Sequence, residues 1–209
     1  MSRKVFDKLT SAGGVVIVVV LLAAGGLLTW GHSFAQNDVH NQLAQQQVYF
    51  PPQSVWKTAT KNNTGEIQAR MIPYLKKYSG QEVLTGPQAE AYANHFIAYH
   101  LAVMPYGGVY SKVSAAALTA KPGTTAYTNL HGLETTVFQG TTLRGLLLEA
   151  YGFWTIGQVM LYGAIASFLG AAIMALLVIL GLAHAARTSE EEKLFARAEI
   201  PAEPSVPVA

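Results

Sequence analysis

Cysteine is absent from this chain of 209 residues. That single absence excludes c-type haem attachment, thiolate zinc and iron–sulfur ligation, thiol nucleophiles and disulfide staples. Charge is scarce as well: Asp, Glu, Lys and Arg make up 12% of the chain, and the formal net charge is +2. With no basic stripe interleaved with aromatics, nothing in it calls for a nucleic-acid partner. No repeat recurs at a 20–50-residue period. No glycine-rich dinucleotide or phosphate loop, no H-E-x-x-H and no G-x-S-x-G elbow is present. Charge is missing altogether from two stretches, residues 12–30 and about 156–183.

Those two stretches set the organisation of the chain. Each is rich in Val, Leu, Ala and Gly and long enough for the ~20 residues a helix needs to cross a bilayer. In lipid a helix satisfies its own backbone polar groups, so both are expected to be membrane-spanning helices. The expected division is a cytoplasmic N-terminus at 1–11, a first transmembrane helix at 12–35, and a helical extracytoplasmic domain at 36–150. A second transmembrane helix at 151–185 and a charged, proline-bearing cytoplasmic tail at 186–209, expected to be disordered, complete it. The fold class is thus mainly α, with two transmembrane helices extending into a helical extracytoplasmic domain.

Orientation follows from basic residues close to the spans. Arg3, Lys4 and Lys8 precede the first; Arg187, Lys193 and Arg197 follow the second. On the other side the nearest are Lys57 and Arg144. Both termini are therefore expected in the cytoplasm of a plasma-membrane protein, with aromatic belts at Trp30 and Phe34 and at Tyr151, Phe153 and Trp154. Ser33-Phe34-Ala35 also has the form of a signal-peptidase site, and cleavage there would leave one anchor. The apolar run exceeds the length of a signal-peptide core, which favours a retained anchor.

Between the spans the pattern is helical. Val39, Leu43, Val48 and Phe50 mark one apolar face, predicting that the first helix continues to about Tyr49, where Pro51 and Pro52 stop it. Val55 and Trp56 offer an anchor within the turn-prone stretch 53–65, and a broken helical piece is expected over 66–78. Pro87 opens a helix whose face is Tyr92, Phe96, Tyr99 and Val103, predicting that these aromatics enter the core before Pro105 ends it. Another short helix is expected over 109–120. Residues 130–138 admit a strand, because Thr135, Thr136 and Val137 are β-branched. Gly140 then supplies a break, and Thr141 or Thr142 caps a helix leading into the second span.

Six histidines, at positions 32, 40, 95, 100, 131 and 184, raise the question of a metal. His95 and His100 stand about 140° apart around a helix and share no face. A site assembled in space from His95, His131 and Glu134 is conceivable for iron, but capping, packing and surface roles are the ordinary fate of such residues. No cofactor is assigned. Glu149, just outside the second span and five residues from Arg144, reads as an interfacial charge that snorkels or pairs. A stronger signal is the ridge of small residues Gly163, Ser167, Ala171 and Ala175, with Ala166 and Gly170 on the adjoining row. Small residues spaced by four let helix backbones approach closely in lipid.

Three stretches (QLAQQQVYFP at 42–51, TGPQAEAYA at 85–93 and TLRGLLL at 142–148) together resemble uncharacterised two-span membrane proteins of actinobacteria, mycobacteria included. The similarity spans most of residues 2–187. Some members are described as aromatic ring-opening dioxygenases, but no iron-ligand pattern here supports that activity. The resemblance implies an actinobacterial plasma membrane and the two-span topology, and brings no function with it.

Three roles follow as expectations. First is a non-enzymatic accessory or scaffold subunit of an envelope membrane complex, contacting a membrane-protein partner or a second copy through the ridge on the second span. Next is a sensory or ligand-binding membrane protein with a separate output partner, since the tail leaves no room for an output domain. Last is a membrane redox or metal enzyme subunit built on His95, His131 and Glu134.

Overall fold

A computed structural model describes residues 3–59, 61 and 65–187. The tail expected at 186–209 lies outside them from residue 188 onward, as does part of the turn-prone stretch before residue 65. Helices make up nearly all of the regular structure: α1 (Arg3–Gln46), α2 (Ile72–Leu75), α3 (Gly86–Tyr92), α4 (Ala98–Ala102), α5 (Tyr110–Thr119) and α6 (Thr125–Arg187). Short 3-10 turns join them, and a π-helical turn over Ala93–Ile97 connects α3 to α4. Among the described residues there is no β-sheet; Tyr49 and Glu82 form an isolated antiparallel bridge.

α1 and α6, at 44 and 63 residues, are each long and apolar enough to cross a membrane. Only 11% of either apolar window is buried within the chain, whereas the core helix of a soluble protein would be mostly covered. This is the pattern of a multi-pass membrane protein. Each helix runs on without interruption past its apolar stretch into the helical domain. The chain divides into two compact units, one of residues 1–28 with 163–209 and one of residues 29–162.

In the first unit the two apolar helices run antiparallel: Ser11 meets Gly181, Gly14 meets Val178, Leu21 meets Gly170 and Leu28 meets Gly163. Buried Ala164, Ala171, Val178 and Ala185 recur every seven residues on α6, the repeat that keeps one seam facing a partner helix in a left-handed supercoil. The seam is narrow. A Cβ on Gly14 would stand 2.5 Å from Val178 Cγ2, and one on Gly25 would stand 2.8 Å from the Phe168 ring. Without an aqueous hydrophobic effect to drive association, such close backbone approach is what holds two helices together in lipid.

The second unit carries two small cores. The larger includes Val39, Leu43, Phe50, Trp56, Met71, Leu75 and Val83; the smaller gathers Leu101, Val113 and Val137. Trp56 anchors its loop as its position suggests, donating from Nε1 to Ser79 Oγ at 2.6 Å. Several boundaries differ from those read in the sequence. α1 ends at Gln46 rather than Tyr49, because Gln47 adopts a left-handed φ of 51° and the following backbone pairs elsewhere. The Phe50 N–H donates to Gln81 O at 2.9 Å and the Val83 N–H to Val48 O at 2.8 Å. Residues 130–138 are helical, not a strand. Thr135 and Thr136 turn their hydroxyls back to the carbonyls of His131 and Gly132, each at 3.0 Å, a local bond that Thr can make within a helix.

Gly140 breaks nothing. It sits inside α6 where a Cβ would come within 2.8 Å of Leu101 Cδ2, so it serves close packing instead. Thr141 likewise bonds back to Val137 O rather than capping a helix start. The true start is fifteen residues or more earlier, where the Thr124 hydroxyl accepts the Tyr127 N–H at 3.2 Å. α3 begins as Pro87 suggests. Gln88 Oε1 gathers the N–H groups of Leu84 and Thr85 at 2.9 and 3.0 Å and the Thr85 hydroxyl at 3.0 Å.

Candidate functional site

Within the second unit the C-terminal part of α1, the α3–π segment and the middle of α6 enclose an open cleft of about 730 Å³. That is the size of many small-molecule sites. Val39 and Leu43 of α1 form its floor together with Val48 and Val83. Leu143, Leu146, Leu147, Ala150 and Phe153 supply the α6 wall, and Tyr92, Phe96 and Ile97 the remaining one.

This geometry explains why Tyr92, Phe96 and Tyr99 are not the buried core that their spacing suggests. All three are only half-buried, packed at the margin of the larger core, while Ala89 and Ala93 are fully enclosed. Small residues let this segment press against its neighbours, and two of the rings are left to line the cleft. The π turn over Ala93–Ile97 inserts an extra residue per turn, which rotates the residues beyond it off a simple i, i+4 stripe.

Polar groups of α1 form one edge of the cleft. Asp38, Gln42 and Gln46 follow each other at i, i+4 along α1, and Gln42 Nε2 donates to Asp38 Oδ2 at 2.8 Å. Glu149 enters from α6. It makes no hydrogen bond or ion pair among the described residues, because Arg144 turns elsewhere: Nη2 donates to Asn94 Oδ1 at 3.0 Å, and Asn94 Nδ2 in turn to Glu90 Oε1 at 2.8 Å. Burial pushes the Tyr92 phenol above its ordinary range, so its hydroxyl stays protonated and can donate or accept.

A second polar cluster surrounds the end of the π turn. The His95 ring stacks on Tyr74 with centroids 3.5 Å apart and planes 4° from parallel, and its Nδ1 lies 3.1 Å from the Tyr99 hydroxyl. Desolvation lowers the His95 pKa, with Glu90 pulling the other way. Arg70 lies over the Tyr99 ring, 4.3 Å from its centroid, and donates from Nη2 to Tyr99 O at 3.0 Å. Buried Gln68 completes the cluster by accepting from Arg70 Nε at 2.7 Å. His100 places its two ring nitrogens at 2.8 and 2.7 Å from the carbonyls of Phe96 and Glu66.

The three residues weighed as a metal set stand apart. His131 Nδ1 and Glu134 Oε2 pair with each other at 3.1 Å, one turn apart on α6, whereas His95 is held by Tyr74 and Tyr99. Among the described residues no group of three or more His, Asp or Glu side chains is placed to share a metal ion.

The small-residue ridge lies in the first unit and is partly turned inward. Ala171 is buried, Gly163 and Gly170 face Leu28 and Leu21, Ser167 and Ala175 are half-buried, and Ala166 is exposed. Periodicity along one helix does not reveal the cleft, because its walls come from α1, the α3–π segment and α6. The i, i+4 run of Asp38, Gln42 and Gln46 was the one available signal.

The chain matches no protein-family model, no curated protein and no solved structure.

Proposed function

We propose that this chain is a plasma-membrane protein, both termini cytoplasmic and the helical domain outside, that binds an apolar ligand in the cleft between α1 and α6. The cleft carries the proposal. Leu143 and Leu146, on its wall, are 54% and 57% exposed, and burying apolar surface stabilises by about 25 cal/mol per Å². A ligand lying against them gains that term without any rearrangement of the core. The basic residues nearest the two spans, Lys8 before the first and Arg187 after the second, support the orientation, and the resemblance of residues 42–51, 85–93 and 142–148 supports an actinobacterial membrane.

The full-length protein in nanodiscs of neutral lipid should bind a neutral apolar fluorophore saturably. Leu147→Trp fills the cleft from its wall and should abolish the saturable part. Saturable binding that survives both Leu147→Trp and Leu146→Trp would place the ligand elsewhere and sink the proposal.

An accessory-subunit role has one observation in its favour. Tyr110 and Phe138 pack on each other with ring centroids 5.7 Å apart, yet remain 41% and 55% exposed, and Leu118 is 81% exposed. Exposed apolar rings that pack on each other suit a protein contact. Recovery of a specific envelope protein that is lost with Phe138→Ser would favour that role over ligand binding.

A further inference from the structure

We infer that the ligand of the cleft is an alkyl-chain amphiphile whose polar end is a cationic amine, and not a fatty acid or other anionic lipid. The inference rests on the cleft being a binding site, as proposed above, and concerns the chemistry it selects. The floor and the α6 wall are aliphatic or aromatic and offer no hydrogen bonds. At about 30 Å³ per water-sized group, a volume of about 730 Å³ holds roughly two dozen methylene-sized groups, ample for a dozen-carbon chain with its head.

The polar edge is rich in acceptors. Asp38 lies on it, Glu149 lines the cleft from α6, and no Lys, Arg or His lines the cleft. An ionised carboxylate only accepts hydrogen bonds. Asp38 has one partner, the Gln42 amide, which leaves acceptor capacity on the carboxylate and the Gln42 carbonyl oxygen available. Glu149 is unpaired among the described residues, because Arg144, the nearest guanidinium on its helix, is committed to Asn94. A ligand carboxylate or phosphate would meet two like charges and no compensating cation. An ammonium supplies three donors and the opposite charge.

The polar edge also sits at the right end for a lipid-derived chain. Asp38 is eight residues beyond Trp30, about 12 Å along α1, so the carboxylates lie just outside the aromatic belt.

The test compares two probes with the same chain, dodecylammonium and dodecanoate, titrated against the full-length protein in neutral-lipid nanodiscs. Leu147→Trp in identical nanodiscs subtracts partitioning into the bilayer. Wild type should bind the amine at least about tenfold more tightly than the acid, since like-charge juxtaposition disfavours the latter. In the double variant Asp38→Asn, Glu149→Gln the preference should vanish through weaker amine binding, and a preference that survives there would overturn the charge selection. Equal affinity for both probes in wild type, lost in Leu147→Trp, would overturn the charge selection and leave the cleft as an apolar site. Binding of both probes that is indifferent to Leu147→Trp would overturn the site itself. If Leu147→Trp fails to fold, Leu146→Trp, which starts from an exposed position at the mouth, takes its place.

Discussion

His95 shows how one side chain couples the domain to pH. Stacked on Tyr74 and partly withdrawn from water, it binds a proton less readily when folded than when unfolded. Between that lowered value and the ordinary histidine value of about 6.5, the unfolded chain holds more protons. Stability therefore rises with pH across this window and falls on acidification through it. His95→Phe keeps a ring against Tyr74 and removes the titration. The drop in melting temperature between about pH 7.5 and pH 5.5 should be smaller in His95→Phe than in wild type. Equal drops would show that other groups carry the acid sensitivity.

Helix pairing in the first unit is decided by which face of α6 the small residues occupy. Ala171 lies on the inward seam at 2% exposure, and its neighbour Ala172 faces outward. Both tolerate leucine as far as hydropathy and helix propensity are concerned, so the two substitutions isolate packing. Ala171→Leu should force α1 and α6 apart and lower thermal stability, since overpacking of a close interface typically costs about 1–3 kcal/mol. Ala172→Leu should leave stability within about 0.5 kcal/mol of wild type. Comparable losses from both would mean that outward faces of α6 are equally packed, against a partner helix.

For the molecule as a whole, the decisive expectation is sidedness. A chain without cysteine accepts single cysteines as reporters. Lys61→Cys, in the loop ahead of α2, should react with a membrane-impermeant thiol reagent in intact cells. Ser205→Cys should react only after permeabilisation. The opposite pattern would place the cleft in the cytoplasm and remove outer-leaflet amphiphiles from its reach.

The spans, the helical class, the proline-initiated α3 and the Trp56 anchor were all legible in the sequence. They depend on local properties: length and uniformity of apolar runs, the missing N–H of proline, one large side chain in a polar loop. Other features could be decided only in three dimensions. Gly140 looks like a break until Leu101 is seen filling the space its Cβ would need, and Thr141 looks like a cap until the helix is found to start beyond Thr124. Phe96 has core spacing, yet a π turn and an open cleft leave it half-exposed. The cleft itself joins residues far apart in the chain, Asp38 with Glu149 and Val83 with Phe153. Periodicity reports which face of one helix is apolar; whether a second helix covers that face or stands back from it depends on side-chain volumes contributed by other parts of the chain.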